Sequence, residues 1–363
     1  MGQIVIFTGG GSGGHVMPAL TIIRELLADH DVECRYIGGR YGIERQLVSE
    51  IEIPYYPIFT GKLRRYFSWE NLLDLFKVVL GIIQSVLILS SFSRRNTLIF
   101  STGGFVSLPV VIGGWLTRKE IYIHEQTACA GLANRIAAKF ASRVYISFER
   151  SKENFPQEKV HFSGYPVRRE CFESIPSSLE LNGVTLTLTG PPILFITGGG
   201  NGSALLNQFV ERELALLTEK YIVVHQVGKK FIEQFTPLRS SHYLPVEFIR
   251  SEMIELFKMA AVTISRAGAG TVCELMAIGK RSIFIPLKMA QKNEQYFNAL
   301  EAKELLGSMV VTEDELLDNN LGHLLDQFFA QRDEPNTGKS GALGAQATTY
   351  LASAIREREK KRE

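Results

Sequence analysis

The sequence predicts an α/β protein built as two similar halves, each a doubly wound domain around a parallel sheet. Three observations predict it. Short apolar, β-branched runs alternate with longer amphipathic stretches, the signature of strand–helix–strand units. The opening stretch IFTGGGSGGHVMPAL (Ile6–Leu20) recurs in outline as PPILFITGGGNGSALLNQFV (Pro191–Val210). Both run from an apolar strand through Thr-Gly-Gly-Gly, a polar residue and glycine into a helix. The chain has 363 residues, 45% hydrophobic and 21% charged, enough for two separate cores.

In the first half, Ile4–Phe7, Cys34–Ile37, Leu98–Ser101, Ile121–Ile123 and Val144–Ser147 read as buried parallel strands. Val16, Leu20, Ile23 and Leu27 repeat at helical spacing, with Arg24, Glu25 and Asp29 off that face. The segment Arg168–Gly190 has no strong period and reads as the linker. Strands follow at Ile222–His225, Val262–Ile264 and Ser282–Ile285. Arg332–Ala345 is loop-like, and a last helix ends in the charged, solvated tail REREKKRE. The expected division is 1–167, 168–340, and a C-terminal helix and tail over 341–363.

A net charge of +2 gives no case for nucleic acid as a partner. Cys34, Cys129, Cys171 and Cys273 lie far apart, as thiols of a reducing compartment do. The seven histidines show no HxxxH or HExxH spacing, so no metal site is expected. No secretory signal leads the chain, which places it in the cytoplasm. The 15 uncharged residues Val78–Phe92 fall short of the ~20 needed to span a bilayer, and Gln84, Ser85, Ser90 and Ser91 interrupt them. Lys62, Arg64, Arg65, Arg94 and Arg95 flank this run, and Phe67, Trp69 and Phe76 add aromatics. That pattern suits adsorption to an anionic membrane surface. It equally suits a core helix with solvated neighbours.

Gly9, Gly11 and Gly14 satisfy GxGxxG. A dinucleotide site also needs an acidic residue ending the second strand. That strand ends in Gly38-Gly39, so a nicotinamide or flavin is disfavoured and no cofactor is expected. The glycines still bring backbone close to a ligand, and the following helix start favours phosphate or diphosphate. A third glycine turn, STGGFVSLP (Ser101–Pro109), follows a strand of the same half. His15 stands at the first turn of the helix, where the positive helix end disfavours the imidazolium. It suits a neutral base or one more hydrogen-bond donor to phosphate. Further polar clusters end strands: His124-Glu125-Gln126, SRAGAGTVCE (Ser265–Glu274) and QKNEQYFNA (Gln291–Ala299). Strand carboxyl ends are where open α/β sheets bind ligands.

These motifs occur in one order: GGSGGHVMPAL, STGGFVSLP, IHEQ with AGLANR, GYPVR, TGGGNGSALLNQ, HQVGK, SRAGAGTVCE and EQYFNA. Over nearly the whole chain they resemble the glycosyltransferase family 28 enzymes that convert lipid I to lipid II at the bacterial inner membrane. The resemblance implies two Rossmann-like domains facing across a cleft, the GT-B fold. It implies UDP-N-acetylglucosamine in the C-terminal domain. There Glu274 would take the ribose hydroxyls, and Ala269, Gly270, Thr271, Val272 and Cys273 would lie at the diphosphate. Ile249 would meet the uracil and Gln295 the sugar hydroxyls, with Arg168, Asn298 and the loop Gly199, Gly200, Asn201 lining the site. The N-terminal domain would receive lipid I, its diphosphate near Ser12, Gly13, Gly14, Gly103 and Gly104, with Thr127 and Asn134 in the substrate-binding set.

The implied reaction is an inverting transfer to the 4-hydroxyl of the muramyl sugar. His15 is the first candidate for the base, with Glu125 and His124 as orienting or alternative groups. Implied further partners are the membrane surface, as a peripheral protein on the cytoplasmic face of the inner membrane, and cell-wall synthesis or division proteins. Three positions depart from the family: Thr127 and Tyr165 stand where it usually has Asn, and Gly200-Asn201 replaces Ser-Gln. Two other readings stay open: a UDP-N-acetylglucosamine 2-epimerase, and a silent UDP-sugar-binding subunit that recruits a partner to the membrane.

Overall fold

A computed structural model describes residues 2–28, 32–61, 69–289, 293–331 and 340–360. At 69–73, 340–345 and 359–360 it describes the backbone alone. Asp29, Lys62, Arg64, Arg65, Phe67 and residues 332–339 of the segment expected to be loop-like lie outside the described residues, as does the Trp69 side chain; 340–345 of that segment are helical instead. The chain forms two compact units: Met1–Val167 with Ala345–Glu363, and Arg168–Gly344.

The first unit runs β1 (Gln3–Thr8), α1 (Gly13–Leu27), β2 (Val32–Gly39), α2 (Ile43–Ser49), β3 (Tyr55–Ile58), α3 (Trp69–Ser90), β4 (Thr97–Ser101), α4 (Ser107–Leu116), β5 (Glu120–Glu125), α5 (Leu132–Ala137), β6 (Arg143–Ile146) and β7 (Val160–Phe162). Its parallel sheet has the order β3-β2-β1-β4-β5-β6-β7. The order in which strands are added reverses between β1 and β4, the switch point where such sheets hold ligands. Alternation along each strand splits the core in two. Val5, Phe7, Leu98 and Phe100 pack with Val16, Leu20 and Ile23 of α1. Ile6, Ile99, Ile121 and Ile123 pack with Val110 and Val111 of α4 on the other face.

The second unit runs β8 (Ser178–Leu181), β9 (Val184–Thr187), β10 (Ile193–Thr197), α6 (Ala204–Lys220), β11 (Ile222–Gln226), α7 (Ile232–Phe235), β12 (Tyr243–Val246), α8 (Met253–Met259), β13 (Val262–Ser265), α9 (Ala269–Ile278), β14 (Ile283–Phe284), α10 (Glu294–Leu306), β15 (Met309–Val310), α11 (Glu313–Leu317) and α12 (Leu321–Ala330). Its main sheet, β12-β11-β10-β13-β14-β15, is parallel and repeats the first plan.

Two expectations are corrected. The linker segment holds the antiparallel hairpin β8–β9, turned by Asn182 (φ 49°) and Gly183 (φ 76°). Asn-Gly with both residues left-handed is the favoured two-residue hairpin turn. Leu179, Leu181 and Leu186 are buried beneath it. The first part of the charged tail is docked through Arg358. In α13 (Ser340–Lys360), Leu351, Ala352 and Ile355 join the first core. Arg358 is 5% exposed, pairs with Glu120 at 2.8 Å, and donates to the carbonyls of Arg95 and Thr97 at 3.0 Å. The charges hid a helical stripe at 351, 352, 355 and 358.

Helix α3 is neither wholly buried nor wholly solvated. Asp74, Val78, Gly81, Ser85 and Leu89 form its buried stripe. Gly81 lies against the Phe59 carbonyl and Ser85 against Gly113, where a Cβ would collide. Opposite them Leu75, Phe76, Val79, Leu80, Ile83 and Leu87 are exposed by 46–68%. Among the described residues no helix is long and apolar enough to cross a membrane.

Candidate active site

The glycine turns of the first unit meet at its switch point. The Gly10 N–H donates to the Gly103 carbonyl at 3.2 Å. Gly104 (φ 79°) packs so tightly on the Gly10 carbonyl that a Cβ there would overlap it. The Tyr36 hydroxyl donates to the Gly9 carbonyl at 2.8 Å and the Thr102 hydroxyl to the His15 carbonyl at 2.6 Å. Ser12 precedes α1 in extended conformation, and Gly13 and Gly14 begin the helix. Their first-turn amides have no preceding turn to bond and carry the positive end of the helix. The half-buried His15 ring places Nδ1 2.8 Å from Ser12 Oγ. Burial pushes its pKa down to about 4, so the ring is neutral at pH 7.

The other candidates of this unit are buried or half-buried and bonded within the chain. Glu125 is 3% exposed. It accepts from the Thr127 N–H (3.0 Å) and hydroxyl (2.7 Å), the Gly131 N–H (3.2 Å) and Asn134 Nδ2 (3.0 Å). Burial raises its pKa while these four bonds pull the other way. Asn134 also donates to the His124 carbonyl at 3.1 Å. His124 is fully buried, with Nε2 3.2 Å from the Gly164 carbonyl and 3.1 Å from Ser147 Oγ. Tyr165 packs edge-on against its ring. His124 is closed off from solvent, and the Glu125 oxygens hold the 127–131 loop and the start of α5, an arrangement that suits orienting groups. The Thr127 hydroxyl is held by Glu125 and the Cys129 carbonyl in the same way.

In the second unit the repeated loop Gly199–Gly202 lies on the end of β11. Gly202 (φ 73°) abuts the Val227 carbonyl, and Gly228 (φ 88°) abuts Asn201. Gly200 and Asn201 are exposed beside the half-exposed ring of Phe248. Helix α9 starts at Ala269, with Gly268 as its cap. The side chains of Val272 and Cys273 are buried, so these two offer a ligand no side-chain contact. The Val272 N–H is bonded to the Gly268 carbonyl, which leaves Ala269, Gly270 and Thr271 as the open amides. One turn on, Glu274 makes a two-pronged pair with Arg168: Nε–Oε1 2.8 Å and Nη2–Oε2 3.1 Å. Asn298 is buried and donates to the Ala267 carbonyl, so it holds the loop. Gln295 accepts from the Leu287 N–H at 3.0 Å.

The sequence reading missed Gln226 and Arg266. Gln226 bridges the second glycine loop and Ile249: it donates to Thr197 Oγ1 (3.1 Å) and the Gly199 carbonyl (3.0 Å) and accepts from the Ile249 N–H (2.9 Å). Arg266 is 8% exposed, donates to Ser203 Oγ at 2.9 Å and pairs with Glu313 at 2.6 Å. Each is a polar residue ending an apolar strand, the signal that also marked His124-Glu125-Gln126.

Two fully buried histidines are held neutral, which lowers stability in acid in the same direction as His15 does. His225 Nδ1 lies 2.9 Å from the Tyr243 hydroxyl and Nε2 3.1 Å from Asn207 Oδ1. Burial pushes His225 down to about 3 and His124 to about 4, from 6.5. Folded values below the unfolded one mean that stability is complete above pH 6.5 and is lost as pH falls from 6.5 toward 4. At about 1.4 kcal/mol per pH unit, each costs about 2 kcal/mol between pH 6.5 and pH 5. The urea midpoint should therefore drop clearly between pH 7 and pH 5; a flat midpoint across that range would contradict this assignment.

Residues 5–146 match the glycosyltransferase family 28 N-terminal domain and residues 193–354 the glycosyltransferase family 28 C-terminal domain. The chain is 35% identical over 362 residues to the UDP-N-acetylglucosamine--N-acetylmuramyl-(pentapeptide) pyrophosphoryl-undecaprenol N-acetylglucosamine transferase of Legionella pneumophila (strain Lens), covering 98% of this chain and 97% of that one. Among solved structures it superposes on Acinetobacter baumannii MurG with a TM-score of 0.69 at 22% identity, over 98% of this chain and 99% of that one. It also superposes on the UDP-GlcNAc 2-epimerase of Neisseria meningitidis bound to UDP-GlcNAc, with a TM-score of 0.63 at 12% identity, over 98% and 100%. The two structural likenesses speak for the fold alone, which transferase and epimerase share. With both domains of the family matched in order along two parallel-sheet α/β units of GT-B type, the chain is a glycosyltransferase and belongs to glycosyltransferase family 28.

Proposed function

We propose that this enzyme moves N-acetylglucosamine from UDP-N-acetylglucosamine to the 4-hydroxyl of the muramyl sugar of lipid I, giving lipid II. The observation that carries the reading is the identity to the Legionella transferase along nearly the full length of both chains. Each unit then has a task. In the second, Glu274 accepts from the ribose hydroxyls and the open amides of α9 face the donor diphosphate. Ile249 meets the uracil, while Arg168, Gln295 and the Gly199–Asn201 loop line the sugar end. In the first, Ser12, Gly13 and Gly14 receive the acceptor diphosphate beside Gly103 and Gly104.

The acceptor hydroxyl attacks the anomeric carbon, the bond to the UDP oxygen breaks, and the configuration inverts. The hydroxyl proton goes to His15. With Nδ1–H donated to Ser12 Oγ, Nε2 keeps its lone pair for that proton. The negative charge gathering on UDP is stabilised by the start of α9. Incubation with labelled donor, with and without lipid I, separates the readings. Label entering the lipid only when lipid I is present supports the transfer. Conversion of the sugar nucleotide without acceptor supports the epimerase, and binding with neither supports the silent subunit.

The apolar face of α3 favours the transferase, because an epimerase has only water-soluble partners. On this reading the face lies at the headgroup boundary of the cytoplasmic leaflet of an anionic membrane, placing the enzyme peripherally at the surface where lipid I resides. Changing Leu80, Ile83 and Leu87 together to Asp should lower partition onto phosphatidylglycerol vesicles about tenfold or more. Transfer to a short-chain, water-soluble lipid I analogue should persist. Unchanged partition of the triple variant would remove α3 as the membrane face.

A further inference from the structure

Glu44 is a fully buried acid that the mechanism above does not use. It stands in the first turn of α2, five residues beyond the end of β2. Its carboxyl group turns back into the opening glycine loop. Oε1 accepts from the Gly39 N–H at 3.0 Å and Oε2 from the Gly11 N–H at 3.2 Å. Glycines wall it in: a Cβ at Gly10 or Gly39 would lie 2.6 Å from the carboxyl atoms, and one at Gly42 would overlap them. Gly11 has φ 84°, a left-handed conformation that glycine adopts without strain.

A glycine turn between strand and helix ordinarily offers its amides to an anion of the ligand. In this loop the first part already holds an anion of the chain itself. The Gly11 amide is engaged by Glu44 and the Gly10 amide by the Gly103 carbonyl. The second part is open. A Cβ at Gly13 would meet nothing within 4 Å, and one at Gly14 only Ser12 Oγ at 3.9 Å. We propose that Glu44 is a positioning residue for the acceptor diphosphate: an internal anion that locks the Gly9–Gly11 turn to Gly39 and confines the external anion to Ser12, Gly13 and Gly14. This deepens the reading that the first unit receives lipid I, and rests on it.

Two effects of Glu44→Gln oppose each other, so the sign of the result is informative. Loss of a negative charge beside the site would by itself strengthen diphosphate binding. Loss of one of two acceptors, with an NH2 group turned on an amide, releases the turn that aligns Ser12–Gly14. The Gly39 bond is buried and the Gly11 bond part-buried, so breaking this clamp is the larger effect. E44Q should therefore raise KM for a lipid I analogue roughly tenfold and leave KM for UDP-N-acetylglucosamine unchanged. An unchanged or lowered acceptor KM would overturn the proposal, and so would an equal rise in both. E44D, which keeps the charge but is one methylene short of the two amides, should show the same split if E44Q fails to fold. Amide exchange of the wild-type chain gives a test without substrates: Gly11 and Gly39 should exchange far more slowly than Gly13 and Gly14, and fast exchange at the first two would overturn the clamp. A wild-type enzyme that transfers nothing to lipid I would instead overturn the function the proposal rests on, whatever the exchange pattern.

Discussion

Replacing His15 with alanine is expected to lower kcat for sugar transfer by about 10²–10⁴ at saturating substrates. The ring sits at the start of α1 beside the open amides of Ser12–Gly14, and its Nδ1 contact with Ser12 fixes its orientation. Burial holds its pKa at about 4 in the free enzyme, so the neutral form dominates at pH 7. The profile of kcat/KM for the acceptor reports the free enzyme. Activity needs the neutral ring, so that profile should fall only as pH drops toward 4. A bound diphosphate places negative charge beside the ring and favours the imidazolium, so the acid limb of kcat should lie at higher pH. H15A should lose this limb altogether. A variant with near-normal turnover would show that His15 is a hydrogen-bond donor to the acceptor and not the base.

Glu274→Ala is expected to lower kcat/KM for UDP-N-acetylglucosamine by a similar factor. A carboxylate has about four lone-pair positions, and the two-pronged Arg168 pair occupies two of them. Two remain for the two ribose hydroxyls. Hydrogen bonds to a charged group contribute about 1.5–3 kcal/mol each, so losing both costs about 10²–10⁴ in kcat/KM. The alanine variant also leaves the Arg168 guanidinium, 14% exposed, without its partner, which lowers stability as well. A 2′-deoxy donor separates the two consequences. It should cost the wild type about tenfold or more and the variant nothing. Equal sensitivity of both enzymes to the missing hydroxyl would place the ribose elsewhere.

Much of this was legible in the sequence, because apolar strands that end in glycine or polar clusters carry two signals at once. Ile4–Phe7 and Ile193–Thr197 marked both the central strands and the turns beyond them. Short edge strands were not legible: β7 and β15 have three and two residues, too few for a period to show. The docking of α13 was obscured because every neighbour of Arg358 from 356 to 360 is charged. Within the site, residue type did not distinguish a group that touches a ligand from one that holds the group that does. Glu125, Asn134 and Asn298 read as site residues, and the structure shows each of them bonded to the chain's own loops. Glu44 was missed for the converse reason. The acid expected at the end of β2 is absent there, and the chain returns one from the next helix.

The central claim is the reaction itself, and the structure of its product tests it most directly. After incubation of the enzyme with UDP-N-acetylglucosamine and lipid I, the lipid fraction should contain a disaccharide. Proton NMR should show its new linkage at the muramyl 4-oxygen in the β configuration, inverted from the α-configured donor. An α linkage, or label recovered only in an isomerised sugar nucleotide, would contradict the account.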